Sequence, residues 1–458
     1  MVFNVSHGAS EIILKGLHQP GAVADGALTQ EARKQLLKEL QKGGFSKHEL
    51  DEARVLAQHT KGTSLGAIID ELAAAILTAY DKQGGVKRLL ANLIDRPRDV
   101  APSTAWQNNI PEVPSEATIR DWVNTVNSSQ ETLKNTVNRG QLFRGFHAAG
   151  VFGEPGQLKV YANPAIPEGA RVGFLAGAAE GKSVMHQVAV RGSNGQGCPL
   201  LNHSAGDVRG LAVIGEGFSI TATNQTHGQH VSKAEGFIDF AKAITRATAK
   251  GLSGLINQAV SGKEIIKEFG PKAPGVLARL TRDTTIPPDS LATETFVGSI
   301  VRLGDYVAKV VWTPAADAAP GTIGTNKKDP EYLSKDADAR GSKKWVMNLQ
   351  FYTNDKDTPL DDATKAWKSP LIPVGELATK PSQDPNTRAQ EKALIEKMRF
   401  NPGAFESGPP TASGYQAVLP DAMGNVREPI YDASADKRGS MSTQESRAAV
   451  AQFQLEGR

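Results

Sequence analysis

A single cysteine, Cys198, stands in a chain of 458 residues. No disulfide can form within the chain, which fits a reducing compartment. Long apolar runs are missing as well: no window approaches the ~18 uninterrupted residues of a membrane-spanning helix. The first residues, Met1 to Gly8, carry no basic stretch leading into an apolar one, so no secretory signal is visible. Nor does one sign of charge dominate. The 52 basic and 49 acidic residues leave a net charge of +3, without the basic stripe that phosphate neutralisation demands. These absences argue against a nucleic-acid partner and a transmembrane segment. The expectation is a soluble, cytoplasmic protein whose 39% hydrophobic content suffices for a core.

Two regimes of periodicity follow one another. Residues 28–95 read as helical, with a stop at Gly43-Gly44 and a capping box at Ser46 and Glu49, where the Ser takes a backbone N–H and the Glu reaches back. Residues 96–115 hold Pro97, Pro102, Pro111 and Pro114 and read as a linker or an ordered arm. A further helix is expected over roughly 115–137. From residue 142 the period becomes two. Gln157 to Ala162, Gln187 to Arg191, Leu211 to Ile214 and Lys344 to Tyr352 alternate as strands, and Phe296 to Trp312 reads as one or two more. Residues 234–269 read as helical. The domains expected are an α-helical region over 1–95, a Pro-containing arm and helix over 96–140, a β-rich domain with flanking helices over 141–440, and a tail over 441–458. No internal repeat is evident.

Two phrases carry the chemistry. Arg144-Gly-Phe-His147-Ala-Ala-Gly150 sets an imidazole beside a cationic anchor. Arg427-Glu-Pro-Ile-Tyr431, followed by Arg438, sets a phenol between two guanidiniums. Offsets of four and seven residues put those three side chains on one helix face. Nearby positive charge favours the ionised phenol, the form a metal needs. Pro429 fits such a helix if it sits in the first turn. The bland readings are a structural His beside an apolar run and a half-buried helical Tyr. The pairing of the two phrases favours function.

The two phrases, with others in order between them, resemble the haem catalase superfamily. Val188-Ala-Val-Arg191-Gly-Ser193-Asn194, Asp207-Val-Arg209-Gly210, Ala222-Thr223-Asn224, Asp362 to Trp367, Pro370 to Gly375 and Phe400-Asn401-Pro402 extend the resemblance over roughly 140–440. It implies an α+β fold, an antiparallel β-barrel of catalase type with flanking helices, here preceded by an α-helical N-terminal domain. It also implies haem b, with Tyr431 as axial ligand of the iron, a role for which Tyr serves in catalase haem. Arg427 and Arg438 would flank that phenol on the haem-binding side, and Arg144 and Arg191 would hold the propionates. His147 would be the distal acid–base group, Ser193 its tautomer-fixing partner, and Asn224 the residue that polarises the peroxide, with Thr223 the alternative if the alignment slips by one.

The chain also departs from that family. Phe146 replaces a small aliphatic residue before the His. Gln225-Thr-His227-Gly228-Gln229-His230 replaces a Pro and paired Phe residues, and the stretch from Phe405 to Gln416 lacks a His-Arg-Pro-Leu-Gly-like phrase. With Gly228 and Gln229 at about the places of two rings, the pocket should admit a larger substrate, unless Phe146 or the N-terminal region refills it. The expected function is turnover of organic or lipid hydroperoxides. A true hydrogen peroxide catalase and a catalase-fold binding protein without turnover are the alternatives. Homo-oligomerisation is left open. Two decoys are set aside. Gly177 to Ser183 resembles a phosphate loop one residue short and reads as a turn into a strand. His186, His203, His227 and His230 lack metal-ligand spacing.

Overall fold

A computed structural model describes residues 101–453, apart from short stretches at 112–113, 179–181, 196–198, 200–201, 251–253, 285–286, 403–414 and 417–423, together with a few positions between 23 and 74. Nearly all of the expected helical region at 28–95, its capping box included, lies outside the described residues, as does most of Phe405 to Gln416. The chain separates into two compact units, one of residues 1–101, 314–321 and 368–371 and one of 102–313, 322–367 and 372–458. The site lies in the second.

Eight strands close into an antiparallel barrel: β1 (Gly150–Tyr161), β2 (Ser183–Asn194), β3 (Arg209–Gly215), β4 (Ser219–Thr223), β5 (Phe296–Leu303), β6 (Tyr306–Pro314), β7 (Lys344–Phe351) and β8 (Leu371–Thr379). They pair in chain order around the ring, and β8 returns to β1 with Gly375 opposite Val160. Closure leaves no open edge between the first strand and the last. The interior is filled by rings fully removed from water, among them Trp312, Trp345, Phe296 and Phe351. β2 shows how the pattern arises. Its first five residues alternate in exposure, whereas Val188 to Asn194 are buried on both faces. There Val188 and Val190 face the barrel core, and Ala189 packs with Ile395, Met398 and Val450 from the helices outside.

The helix expected near 115–137 is α1 (Glu116–Thr136), whose N-cap Ser115 accepts from the backbone N–H of Thr118 at 3.2 Å. Its apolar stripe, Trp122 and Val126, packs on Ile238 and Ile430. The helical run expected at 234–269 is two helices, α2 (Ala234–Ala249) and α3 (Gly254–Phe269), followed by α4 (Ala273–Thr284). Beyond β6 come α5 (Tyr332–Arg340), α6 (Pro385–Lys397), α7 (Gly424–Lys437) and α8 (Thr443–Ala451). Within the Pro-rich arm, Trp106 is buried and its indole N–H donates to the carbonyl of Asp305 at 2.8 Å. No helix among the described residues is long and apolar enough to cross a membrane.

Candidate active site

His147 is set by the start of β1. The ladder with β2 runs past the end of the strand, through Gly150 opposite Ser193, the N–H of Asn194 on the carbonyl of Ala149, and the N–H of His147 on the carbonyl of Gly195 at 2.8 Å. A register shift between Gly150 and Phe152 re-aims this end, as bulges beside sites do. His147 itself takes φ 54°, an uncommon left-handed conformation for a residue with a side chain. Its Nδ1 then lies 3.1 Å from the Oγ of Ser193. Gly210 on β3 backs the pair: a Cβ there would meet Nδ1 at 2.5 Å and the Ser193 Oγ at 2.8 Å. His147 is half-buried and lines a cavity. Burial, followed by the charges of Arg191, Arg144 and Arg209, pushes its pKa down to about 3. The ring is therefore neutral near pH 7 and able to accept a proton.

Two of these guanidiniums, Arg191 and Arg144, act on it most, and a further one, Arg438, neighbours those two. Arg191 donates to the backbone carbonyl of His147 at 2.8 Å and to Glu396 of α6 at 2.9 Å. Arg144 donates to the carbonyls of Glu396 and Met398, both at 3.0 Å, and its buried Nε has no hydrogen-bond partner. Arg438, just past α7, donates to the carbonyl of Ser434 at 3.0 Å. Burial and the neighbouring arginines hold Arg144 well below the usual guanidinium range, and burial and Arg191 bring Arg438 down to about 10. Burial opposes ionisation of Glu396, but Arg191 and Arg144 outweigh it and hold the carboxyl below its ordinary value. One carboxylate against three cations leaves the cluster positive, a setting for an anionic occupant.

Tyr431 comes from α7, which begins one turn earlier than the sequence suggested. Pro429 thus sits inside the helix, and only the bond to the carbonyl of residue 425 is lost. The helix is held from outside: Arg399 pairs with Asp432 at 2.9 Å and with Asp436, and Asn401 donates to Asp432 at 2.8 Å. Arg427 donates to Ser299 of β5 at 2.8 Å.

One cavity of about 590 Å³ brings these groups together: His147, Ser193, Arg144, Arg191, Tyr431, Arg427 and Arg438 all line it. Asn224 does not. Its side chain accepts from the N–H of Arg209 at 2.8 Å and donates to Glu294 at 3.0 Å. Thr223 is the polar wall at that place, bonded to Gln225 and Gln229, each at 3.3 Å. Phe146 lines the cavity, its ring against Phe237 of α2 with centroids 5.1 Å apart.

Three contributors were not foreseen: Glu396, Gly210 and the buried Arg209. Arg209 donates to Asn194 at 2.7 Å, to the carbonyl of His203 at 2.7 Å and to that of Ala205 at 3.0 Å, and so pins the loop whose Ala205 and Asp207 border the cavity. Gly210 and Arg209 lay within a phrase already noticed. Nothing near Glu396 in the sequence points to its place. Of the histidines set aside, His186 meets the carbonyl of Phe174 at 2.9 Å, and His230 meets Gln225 at 3.0 Å.

No protein-family model and no curated protein matches the sequence. Among solved structures the fold is similar to a bacterial catalase, with a TM-score of 0.50 and 19% sequence identity over 77% of this chain. The chain spans 66% of the length of that catalase. At this identity the likeness speaks to the fold: the barrel is catalase-like.

Proposed function

We propose that the protein is a haem-dependent peroxide-metabolising enzyme that prefers organic hydroperoxides to hydrogen peroxide. The observation that carries the reading is the convergence of His147 and Tyr431 on one cavity beside a cluster of arginines with surplus positive charge. The donor set fits haem b. Tyr431 would ligate the iron, with Arg427 one helical turn away. Arg144 and Arg438 would take the two propionates by charge-assisted hydrogen bonds. Arg191, already engaged by Glu396 and the His147 backbone, would add its charge and hold the imidazole in place. When bound, haem supplies the redox chemistry of O–O cleavage.

The chain's own part is proton handling and exclusion of water. A neutral His147 accepts the proton of the hydroperoxide's terminal oxygen and returns it to the departing oxygen, which is general acid–base work. Ser193 fixes the ring through Nδ1, and Thr223 gives the pocket a hydroxyl. The preference for a larger substrate rests on Gly228 and Gln229, which line the cavity without rings, and Phe146, which also lines it, is packed on Phe237.

Haem reconstitution followed by absorbance tests the first half. A Soret band with high-spin ferric features is expected, with haem lost or the spectrum shifted in Tyr431→Phe. Full haem occupancy and an unaltered spectrum in that variant would remove Tyr431 as ligand. For the second half, kcat/KM is compared for hydrogen peroxide, cumene hydroperoxide and a fatty-acid hydroperoxide. Vigorous oxygen release and a preference for hydrogen peroxide by orders of magnitude would make the protein a catalase instead.

A further inference from the structure

The cavity does not end at the histidine. It continues along one face of α2, where Phe237, Phe240, Ile244 and Thr248 line it at offsets of three, four and four residues. Across from them the lining comes from α4, with Leu277 and Leu280 followed by Thr281 and Thr284. The C-terminal part of α4 lies by the start of α2, with Arg279 and Arg282 donating to the carbonyls of His230 and Gly228 at 3.0 and 3.1 Å. Thr281 and Thr284 therefore sit toward the Phe237 end, while Thr248 and, on α3, Ser261 line the other end beyond Phe240 and Ile244. From Phe237 to Thr248 the helix advances about 16 Å at 1.5 Å per residue.

Resting on the peroxide reading above, we infer that this arm holds the unbranched alkyl tail of the hydroperoxide substrate. The reacting oxygens would lie at His147 and the tail would run between α2 and α4. Any polar terminus would reach Thr248 and Ser261. With carbon–carbon bonds of about 1.5 Å in a zigzag, the arm accommodates a tail of roughly a dozen carbons. Phe240 and Ile244 on one helix and Leu277 and Leu280 on the other then determine chain-length preference. Each methylene that leaves water for their surface adds affinity.

The test separates the tail site from the haem chemistry. A dansyl-labelled undecanoic acid is titrated into the protein, and butanol, octanol and dodecanol are used to displace it. Displacement should strengthen with chain length. Ile244→Trp and Leu280→Trp, which plug the arm from facing helices, should each weaken probe binding by about tenfold or more. In the haem-loaded protein the same variants should lower, by a similar factor, the ratio of kcat/KM for a twelve-carbon hydroperoxide to that for tert-butyl hydroperoxide. Ile244→Ala, which enlarges the arm, should shift the preference toward longer chains and guards against a tryptophan variant that fails to fold. Binding indifferent to chain length, or unchanged in both plugged variants, overturns the inference. Chain-length-dependent binding in a protein that gives no Soret band with haem leaves the alkyl site standing and sinks the peroxide reading instead.

Discussion

At the scale of single residues, the geometry of the imidazole depends on a missing side chain. Gly210 sits on β3 opposite both Ser193 and Thr223, so its backbone is held from two sides. A methyl group there would meet the ring and the serine hydroxyl at less than contact distance, and the ring is the movable partner. Gly210→Ala is therefore expected to retain haem, since the clash is with the His147 ring and Ser193 and not with Tyr431. Peroxide turnover should fall by about 10²-fold, the lower end for lost acid–base catalysis. Steady-state rates normalised to the Soret absorbance check this, and normal turnover per haem would refute the positioning role. His147, Ser193, Arg191 and Tyr431 were legible as phrases because each carries its own local neighbours. Glu396 was not, because its partner Arg191 lies 205 positions away and α6 gives no local sign of it. Asn224 and Thr223 could not be separated from sequence. Adjacent strand positions point to opposite faces, and a one-residue slip exchanges them.

At the scale of elements, β1 carries the site at one end and a buried ion pair at its middle. Lys343, immediately before β7, donates to Glu154 at 2.7 Å, and both side chains are removed from water. The ammonium also lies 5.0 Å from the centroid of the Phe152 ring. Burial pushes Glu154 up and Lys343 down, against the pull of each on the other. Removing one partner leaves the other charge unpaired. Lys343→Met is thus expected to cost about 3–5 kcal/mol, and the double variant with Glu154→Leu should recover most of that loss. Urea unfolding of the two variants decides the matter, and a double variant no more stable than the single one would show that the ion pair was not the cause. The strands flanking this pair were readable from alternation. β4 was not, being only five residues long, and β8 was obscured by Pro373. That proline precedes Gly375, the first residue paired with β1, so the missing N–H falls outside that ladder.

At the scale of the whole molecule, alternation in the sequence said that strands exist and helices flank them. It could not say that the strands close, because closure depends on the pairing of the first with the last, and neither carries a mark of the other. That part of the expectation came from the resemblance, and the ring of eight strands agrees with it. The cavity was legible only as a loss of rings near residue 228. Its extension between α2 and α4 is a product of helix packing that no single segment announces.

Closure of the ring has a kinetic consequence. Loop-closure entropy makes distant contacts slow to form, and rates fall as the mean sequence separation of contacts grows. His147 is aimed by the start of β1, while α6 and α7, which supply Glu396 and Tyr431, follow β8. His147, Glu396 and Tyr431 are therefore expected to become neighbours only in the last stages of folding. Haem offered to a refolding chain should be captured no faster than the slowest phase of tryptophan fluorescence, however much haem is supplied. Stopped-flow refolding followed at the Soret band and by fluorescence compares the two. Capture that outruns the fluorescence and accelerates with haem concentration would mean that the pocket assembles before the barrel does.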